Sequence, residues 1–416
     1  MKKTVLLYPF LVAAFPILFL YANNMGAVSL SEILAPVAIV LGGTLLLVFL
    51  CRIILKHLEK AGALVSVAVV IFFTYGHIVT AMQGIRLGGF SLGSNKILLP
   101  LFAILFVTSA FLIYRTRKSF RTPTRILNAI GIVLVVISLF NIGMFTLKQR
   151  GSATLDTVSG MTMQTGNINN TNAPDIYYII LDGYTSNDAL SEFYTFDNST
   201  FTDYLAQNGF YVAQQSHSNY STTFLSLAST LNGGYLNNLS EQIGTDSANR
   251  EVPYEMIRNS EAMNLIRSTG YTFINVSSGW GPTNNNKFAD VEIRCGTKSE
   301  FLSVLIKTTI LNPFQQFLIA TDNRKRILCS FLELEKIPAN PKKTFTFAHL
   351  IVPHPPYLFN KDGSPTANPT LNLEGGVWSH KDEYINQLTY INTKVMTLIN
   401  TILISSDTLP IIIIQG

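Results

Sequence analysis

Charge is what this chain has least of. Asp, Glu, Lys and Arg make up 13% of its 416 residues, roughly half the share usual in a soluble globular domain. In the first 150 residues the only carboxylates are Glu32 and Glu59, set against fourteen Lys or Arg. Residues 151–416 carry sixteen basic and twenty-three acidic side chains. The net charge of +5 therefore combines a basic half with an acidic half, and it offers nothing that favours a nucleic-acid partner. Cysteine is scarce too: three residues are too few for a disulfide-dense scaffold. Cys51 closes an apolar run. Cys295 and Cys329 lie in the second half, where a disulfide and two free thiols both stay open, because sequence does not fix their Cα separation. Internal repeats are not evident.

What the first half does contain is apolar length. Runs at residues 4–22, 35–55, 64–82, 97–114 and 126–147 each approach the ~20 residues that a helix needs to cross the hydrocarbon core. In lipid a backbone must satisfy its own polar groups, so these runs are expected to be helices. Lys2 and Lys3 before the first run suit a signal peptide, but four more spans follow, and a retained anchor is the expectation. Most basic residues sit at 1–3, 52–60 and 115–125, whereas the 23–34 loop has none. The positive-inside bias then places the N-terminus in the cytoplasm and everything after Leu147 outside. The expected organisation is a five-helix membrane anchor over 1–150 and a polar Asn/Thr/Gly-rich linker over 151–174. An extracytoplasmic α/β domain follows over 175–416.

The α/β reading rests on four short apolar runs, 176–181 (IYYIIL), 271–276 (YTFINV), 344–351 (TFTFAHLI) and 409–415 (LPIIIIQ), which suit buried parallel strands. Helical patterns at 188–207, 253–269 and 382–404 alternate with them, predicting a mostly parallel sheet with helices on both faces. Functional groups in such folds gather at the carboxyl ends of strands. Asp182 follows the first strand and His354 the third.

Three segments carry a resemblance: PDIYYIILDGY at 174–184, SNYSTTFLSLASTLNGGYL at 218–236 and FAHLIVPHPPY at 347–357. Together with the five-span anchor, they resemble the membrane-anchored branch of the alkaline phosphatase/sulfatase superfamily, which includes lipoteichoic acid synthases and phosphoethanolamine transferases. The resemblance implies a sulfatase-like domain and a divalent metal (Mn, Mg or Zn) held in part by Asp182 and Thr223. It makes Thr223 the nucleophile, with Thr222 as the neighbouring alternative, and gives His354 a role on substrate phosphate. A hydroxyl at a helix N-terminus suits this chemistry, because the exposed N–H groups favour a nearby phosphate. His349, alone on an apolar strand, reads instead as a core residue.

Two departures from the pattern matter. The sulfatase signature has Cys or Ser at the nucleophile and Arg four residues on, whereas this chain has Thr223 and Leu227. Formylglycine chemistry is therefore not expected, and a sulfatase is the lesser alternative. The family's Asp-His pair would follow IIIIQG, and the sequence stops at Gly416, so the α/β domain reads as C-terminally incomplete. The implied function is phosphoryl transfer or hydrolysis outside the membrane, on lipid- or glycan-linked phosphodiesters and in contact with membrane lipid. For the chain as it stands, inactivity is the expectation. The alternative is an inactive fragment or a binding protein that keeps the fold.

Overall fold

A computed structural model describes residues 5–88, 90–151, 173–245, 250–367, 369 and 380–416. The expected linker at 151–174 therefore lies almost wholly outside the described residues. The chain forms two compact units. One comprises Met1–Leu155 with Phe301–Gln315, the other Asp156–Glu300 with Gln316–Gly416.

The first unit is helical. It contains α1 (Tyr8–Ala22), α2 (Leu30–Leu55), α3 (Leu58–Met82), α4 (Asn95–Arg115) and α5 (Arg121–Gly151), with a two-residue hairpin, β1 (Arg86–Leu87) and β2 (Phe90–Ser91), between α3 and α4. Four of these helices are long and apolar enough to cross a membrane. The fifth expected span, α1, has only 15 residues, about 22 Å at 1.5 Å per residue. By length, then, four of the five expected spans are supported, and α1 among the described residues is shorter than a full crossing. The physical reason for the short helix is its start: Asn128 of α5 accepts from the backbone N–H groups of Leu7 and Tyr8 and donates to the Val5 carbonyl. Those contacts satisfy the first turn of α1 at the level of the second turn of α5. Ala13 and Ile17 of α1 are fully buried in a core with Val48, Val65, Val69 and Phe73.

The second unit is an α/β domain built on five parallel strands, β3 (Ile176–Leu181), β4 (Thr272–Val276), β5 (Val291–Ile293), β6 (Thr344–Leu350) and β7 (Ile411–Gln415). Their order in the sheet is β5-β4-β6-β3-β7. Between β3 and β4 run α6 (Asn187–Tyr194), α7 (Ser199–Gln207), α8 (Thr223–Leu231), α9 (Asn237–Ile243), α10 (Glu251–Arg258) and α11 (Glu261–Ser268). The short α12 (Gly281–Asn284) precedes β5. After it come α13 (Glu300–Thr308), which from Phe301 on belongs to the first unit, then α14 (Thr321–Leu334) and, between β6 and β7, α15 (Lys381–Ser405). Every residue of β6 is buried, and so is all of β3 after Ile176. Successive strand residues point to opposite faces, so both faces of the sheet centre are covered. The core there is aromatic, with Phe273 and Phe345 stacked at 5.6 Å.

Three expectations change in detail. The pattern at 188–207 is two helices, broken where Thr195 takes a left-handed conformation. The pattern at 253–269 also divides, because the Ser260 hydroxyl accepts from Met263 N–H and starts a new helix. The last strand pairs in parallel with β3 as expected, but it lies at the sheet edge, and Ile411 and Ile413 are nearly half exposed. Cys295 and Cys329, left open by the sequence, are bonded, with Cα atoms 5.7 Å apart.

Candidate functional site

The ends of β3 and β6 are tied together by main-chain bonds. Asp182 N–H donates to the Leu350 carbonyl at 2.9 Å, and His354 N–H donates to the Asp182 carbonyl at 2.8 Å. Gly183 allows this closeness. Its φ is +80°, and a Cβ there would stand 3.0 Å from His354 Cα, so a side chain would be both strained and crowded. The turn thus fixes Asp182 and His354 on neighbouring strand ends. His354 Nδ1 faces the Pro355 carbonyl at 2.6 Å. That oxygen only accepts, so Nδ1 carries the proton. On the other side of β3, the end of β7 reaches the same turn, where a Cβ on Gly416 would lie 2.3 Å from the Tyr184 carbonyl.

Thr223 opens α8, and its Oγ1 lies 3.5 Å from Asp182 Oδ1, with the hydroxyl as donor. This is the long end of a hydrogen bond, a common state for a reactive group without its substrate. Thr222 occupies the N-cap position but makes no side-chain cap bond. The structure therefore brings Thr223, and not Thr222, to the carboxylate. The first N–H groups of a nine-residue helix open beside it, the arrangement that attracts an anion.

His349 joins the same group, although the sequence pattern assigned it to the core. It is fully buried. Its Nε2 stands 3.4 Å from Asp182 Oδ2, and its Nδ1 lies 2.9 Å from Thr283 Oγ1. The signal that finds it is register. His349 pairs with Ile180 in the sheet, and Asp182 is two residues beyond Ile180, on the same face. An aromatic path closes the far side: Phe224 packs on Tyr254, Tyr254 on Trp280, and Trp280 edge-on against His349 at 5.5 Å.

Burial works against ionisation of Asp182. The hydrogen bond and charge of His349, with His354 and Thr223, more than offset it and hold the carboxyl below the usual aspartate range. The site thus presents a carboxylate, a hydroxyl aligned on it, the His349 imidazole facing the carboxylate, and His354 on the adjoining strand end. Asp182 and Thr223 are the oxygen donors that could touch a cation. Among the described residues no three His, Cys, Asp or Glu side chains gather as a metal site. Two oxygens fall short of the four or more ligands that tightly held divalent cations take, so Asp182 and Thr223 alone do not make up a resident metal site.

No family model matches the sequence, and no curated protein matches it. Among solved structures the chain is similar to the integral membrane protein lipooligosaccharide phosphoethanolamine transferase A (EptA) from Neisseria meningitidis, at 12% identity and a TM-score of 0.31. The match covers 95% of this chain and 77% of that one. A likeness this loose does not align individual residues.

Proposed function

We propose that the Asp182–Thr223–His354 cluster is the phosphoryl-transfer centre of a membrane-anchored transferase or hydrolase of sulfatase-like type. It would act outside the membrane on lipid- or glycan-linked phosphodiesters. One observation carries this reading: two segments 41 residues apart in sequence bring a threonine hydroxyl at a helix N-terminus to 3.5 Å from a carboxylate at a strand end. Thr223 Oγ1 forms a bond to phosphorus as the bond to the leaving oxygen breaks. Asp182 takes the hydroxyl proton and passes it to the departing oxygen, and His354 and the N–H groups of α8 face the phosphoryl oxygens. A sugar hydroxyl, lipid headgroup or water then attacks the phosphothreonine, restores the Thr223 hydroxyl and delivers its own proton to the cluster. The positive-inside bias puts the N-terminus in the cytoplasm and this domain on the other side. The Cys295–Cys329 bond suits an oxidising compartment, and no part of the reading calls for nucleic acid.

A second reading is favoured by the donor count. With one carboxylate and one hydroxyl as oxygen donors, the domain keeps the fold and binds a phosphodiester without turnover. Full-length protein in detergent separates the two readings, with bis-nitrophenyl phosphate as reporter and mass spectrometry of the Thr223 peptide. The first reading requires measurable turnover, a phosphorylated Thr223, and a loss on the order of a thousandfold or more in Thr223→Ala with Thr222→Ala unaffected. Activity retained in Thr223→Ala and lost in Thr222→Ala moves the nucleophile by one residue. Phosphodiester binding with no turnover selects the second reading.

A further inference from the structure

Residues 301–315 interrupt the α/β domain in sequence yet belong to the helical unit. Phe301 and Leu305 of α13 enter the same core as Ala13, Ile17, Val65 and Phe73 of the membrane helices. The chain then crosses α3 at close range. Ile310 N–H donates to the Phe72 carbonyl at 2.8 Å. Gly76, one turn on, leaves the room for this crossing, because a Cβ there would stand 1.9 Å from the Lys307 carbonyl.

The depth of that crossing follows from helix geometry. Phe72 lies ten residues, about 15 Å, from one end of α3 and fourteen, about 21 Å, from the other. The neighbouring α4 begins at Asn95, which accepts from Tyr75 Oη at 2.7 Å. At its other end, Lys60 of α3 bonds the Tyr114 and Thr116 carbonyls. Phe72 and Gly76 therefore stand level with the first turn of α4, a helix long enough to span the bilayer.

The N–H groups of the backbone beyond α13 find acceptors within the protein. Irregular backbone in lipid must satisfy its polar groups within the protein. Thr309 N–H donates to Ile306 O, Ile310 N–H to Phe72 O, Leu311 N–H to Thr309 Oγ1, Asn312 N–H to Thr309 O and Phe314 N–H to Leu311 O. Position 313 is proline and has no N–H. The outward side chains are apolar: Val304 is 37% exposed, Leu311 37% and Phe314 59%. They extend an apolar surface that the spanning helices already present, with Leu101, Leu105 and Phe111 of α4 more than half exposed.

We infer that residues 301–315 form a lipid-contacting segment in the interfacial layer of the bilayer, with Val304, Leu311 and Phe314 seated among acyl chains. The occupant of this face is lipid, as for an interfacial helix. The inference is independent of the catalytic reading, since none of these residues belongs to the Asp182 cluster.

Depth-dependent quenching in nanodiscs tests it. Full-length Cys51→Ser protein, kept oxidised so that Cys295 and Cys329 stay bonded, is given one further cysteine by Leu311→Cys or Phe314→Cys and labelled with an environment-sensitive fluorophore. The discs are phosphatidylcholine and phosphatidylglycerol doped with doxyl-phosphatidylcholine. Leu105→Cys on α4 is the lipid reference, and Tyr211→Cys, at a position 92% exposed in the α/β domain, is the aqueous reference. Labels at 311 and 314 are expected to be quenched at least half as strongly as at 105 and several-fold more than at 211. Quenching no greater than at 211 overturns the inference, as does protection that appears only when each disc holds two copies, which would make the face a protein contact.

Discussion

His349 Nε2 stands 3.4 Å from Asp182 Oδ2, at the end of a chain of contacts that starts at Thr283. A fully buried imidazole facing a carboxylate on one side and a hydroxyl on the other fixes the orientation of all three groups. In such a cluster each member is oriented by the others, and removal of the middle one leaves two polar groups without their partner.

His349→Ala is therefore expected to destabilise the α/β domain by about 2–3 kcal/mol, the combined effect of a cavity and a lost partner for Thr283 and Asp182. A thermal melt of the full-length protein in detergent reads this as a clear fall in Tm. The conservative His349→Gln keeps a donor toward one side and should recover part of the loss. An unchanged Tm in His349→Ala would mean that the imidazole contributes no more than packing that its neighbours can replace.

The sequence made the sheet centre legible and its margins less so. β3 and β6 stand out because they are buried on both faces and read as unbroken apolar runs, and α15 follows its pattern to within a residue at each end. The three-residue β5 was missed because a strand of Val, Glu and Ile at the sheet edge has neither length nor an apolar run. The helix breaks at Thr195 and Ser260 depend on local backbone conformation and capping, which hydrophobic periodicity does not report. At the candidate site, Asp182, Thr223 and His354 were singled out from motifs, and the fold brings Thr223 to Asp182 and His354 to the adjoining strand end. His349 was not, because a lone histidine on an apolar strand looks like core until strand register places it beside Asp182. The run at 301–315, which belongs to the helical unit, carried no period that set it apart from the surrounding α/β domain.

Asp322 gives a stability prediction with a definite pH sense. It is 7% exposed and accepts from Thr297 Oγ1 and from the Thr297 and Lys298 N–H groups, with Lys298 Nζ at 3.5 Å and Arg326 at 3.4 Å. Burial opposes its charge, but the bonds from Thr297 and Lys298 and the Lys298 charge outweigh it and lower the carboxyl pKa. A depressed carboxylate stabilises the fold fully above the unfolded pKa and loses that contribution as pH falls through the folded value. Asp322→Asn should cost about 3 kcal/mol at neutral pH, because Arg326, 9% exposed, loses its buried partner. The gap between wild type and variant should narrow as pH drops below about 4. Tm measured across pH checks both statements, and a gap that is constant down to strongly acidic pH would show that the carboxylate charge is not what Asp322 contributes.

The last expectation concerns metal. The resemblance implies Mn, Mg or Zn at Asp182 and Thr223, and the geometry tests what those two side chains offer. Their oxygens lie 3.5 Å apart, close enough to share one cation, but they supply one strong donor and one weak one against the four that zinc takes or the six or more of a hard cation. His349 Nε2 stands 3.4 Å from the same carboxylate and occupies that side of it, while its Nδ1 engages Thr283. The purified full-length chain should therefore retain well under one equivalent of metal after desalting, measured by elemental analysis. Added Mn or Zn should raise Tm only at concentrations far above the protein's own, since stabilisation follows the ratio of free metal to Kd. Asp182→Asn should abolish whatever shift remains. Stoichiometric metal in the desalted protein, retained in Asp182→Asn, would place the cation elsewhere. Stoichiometric metal lost in that variant would mean that Asp182 and Thr223 have further ligands beside them and that the donor count is incomplete.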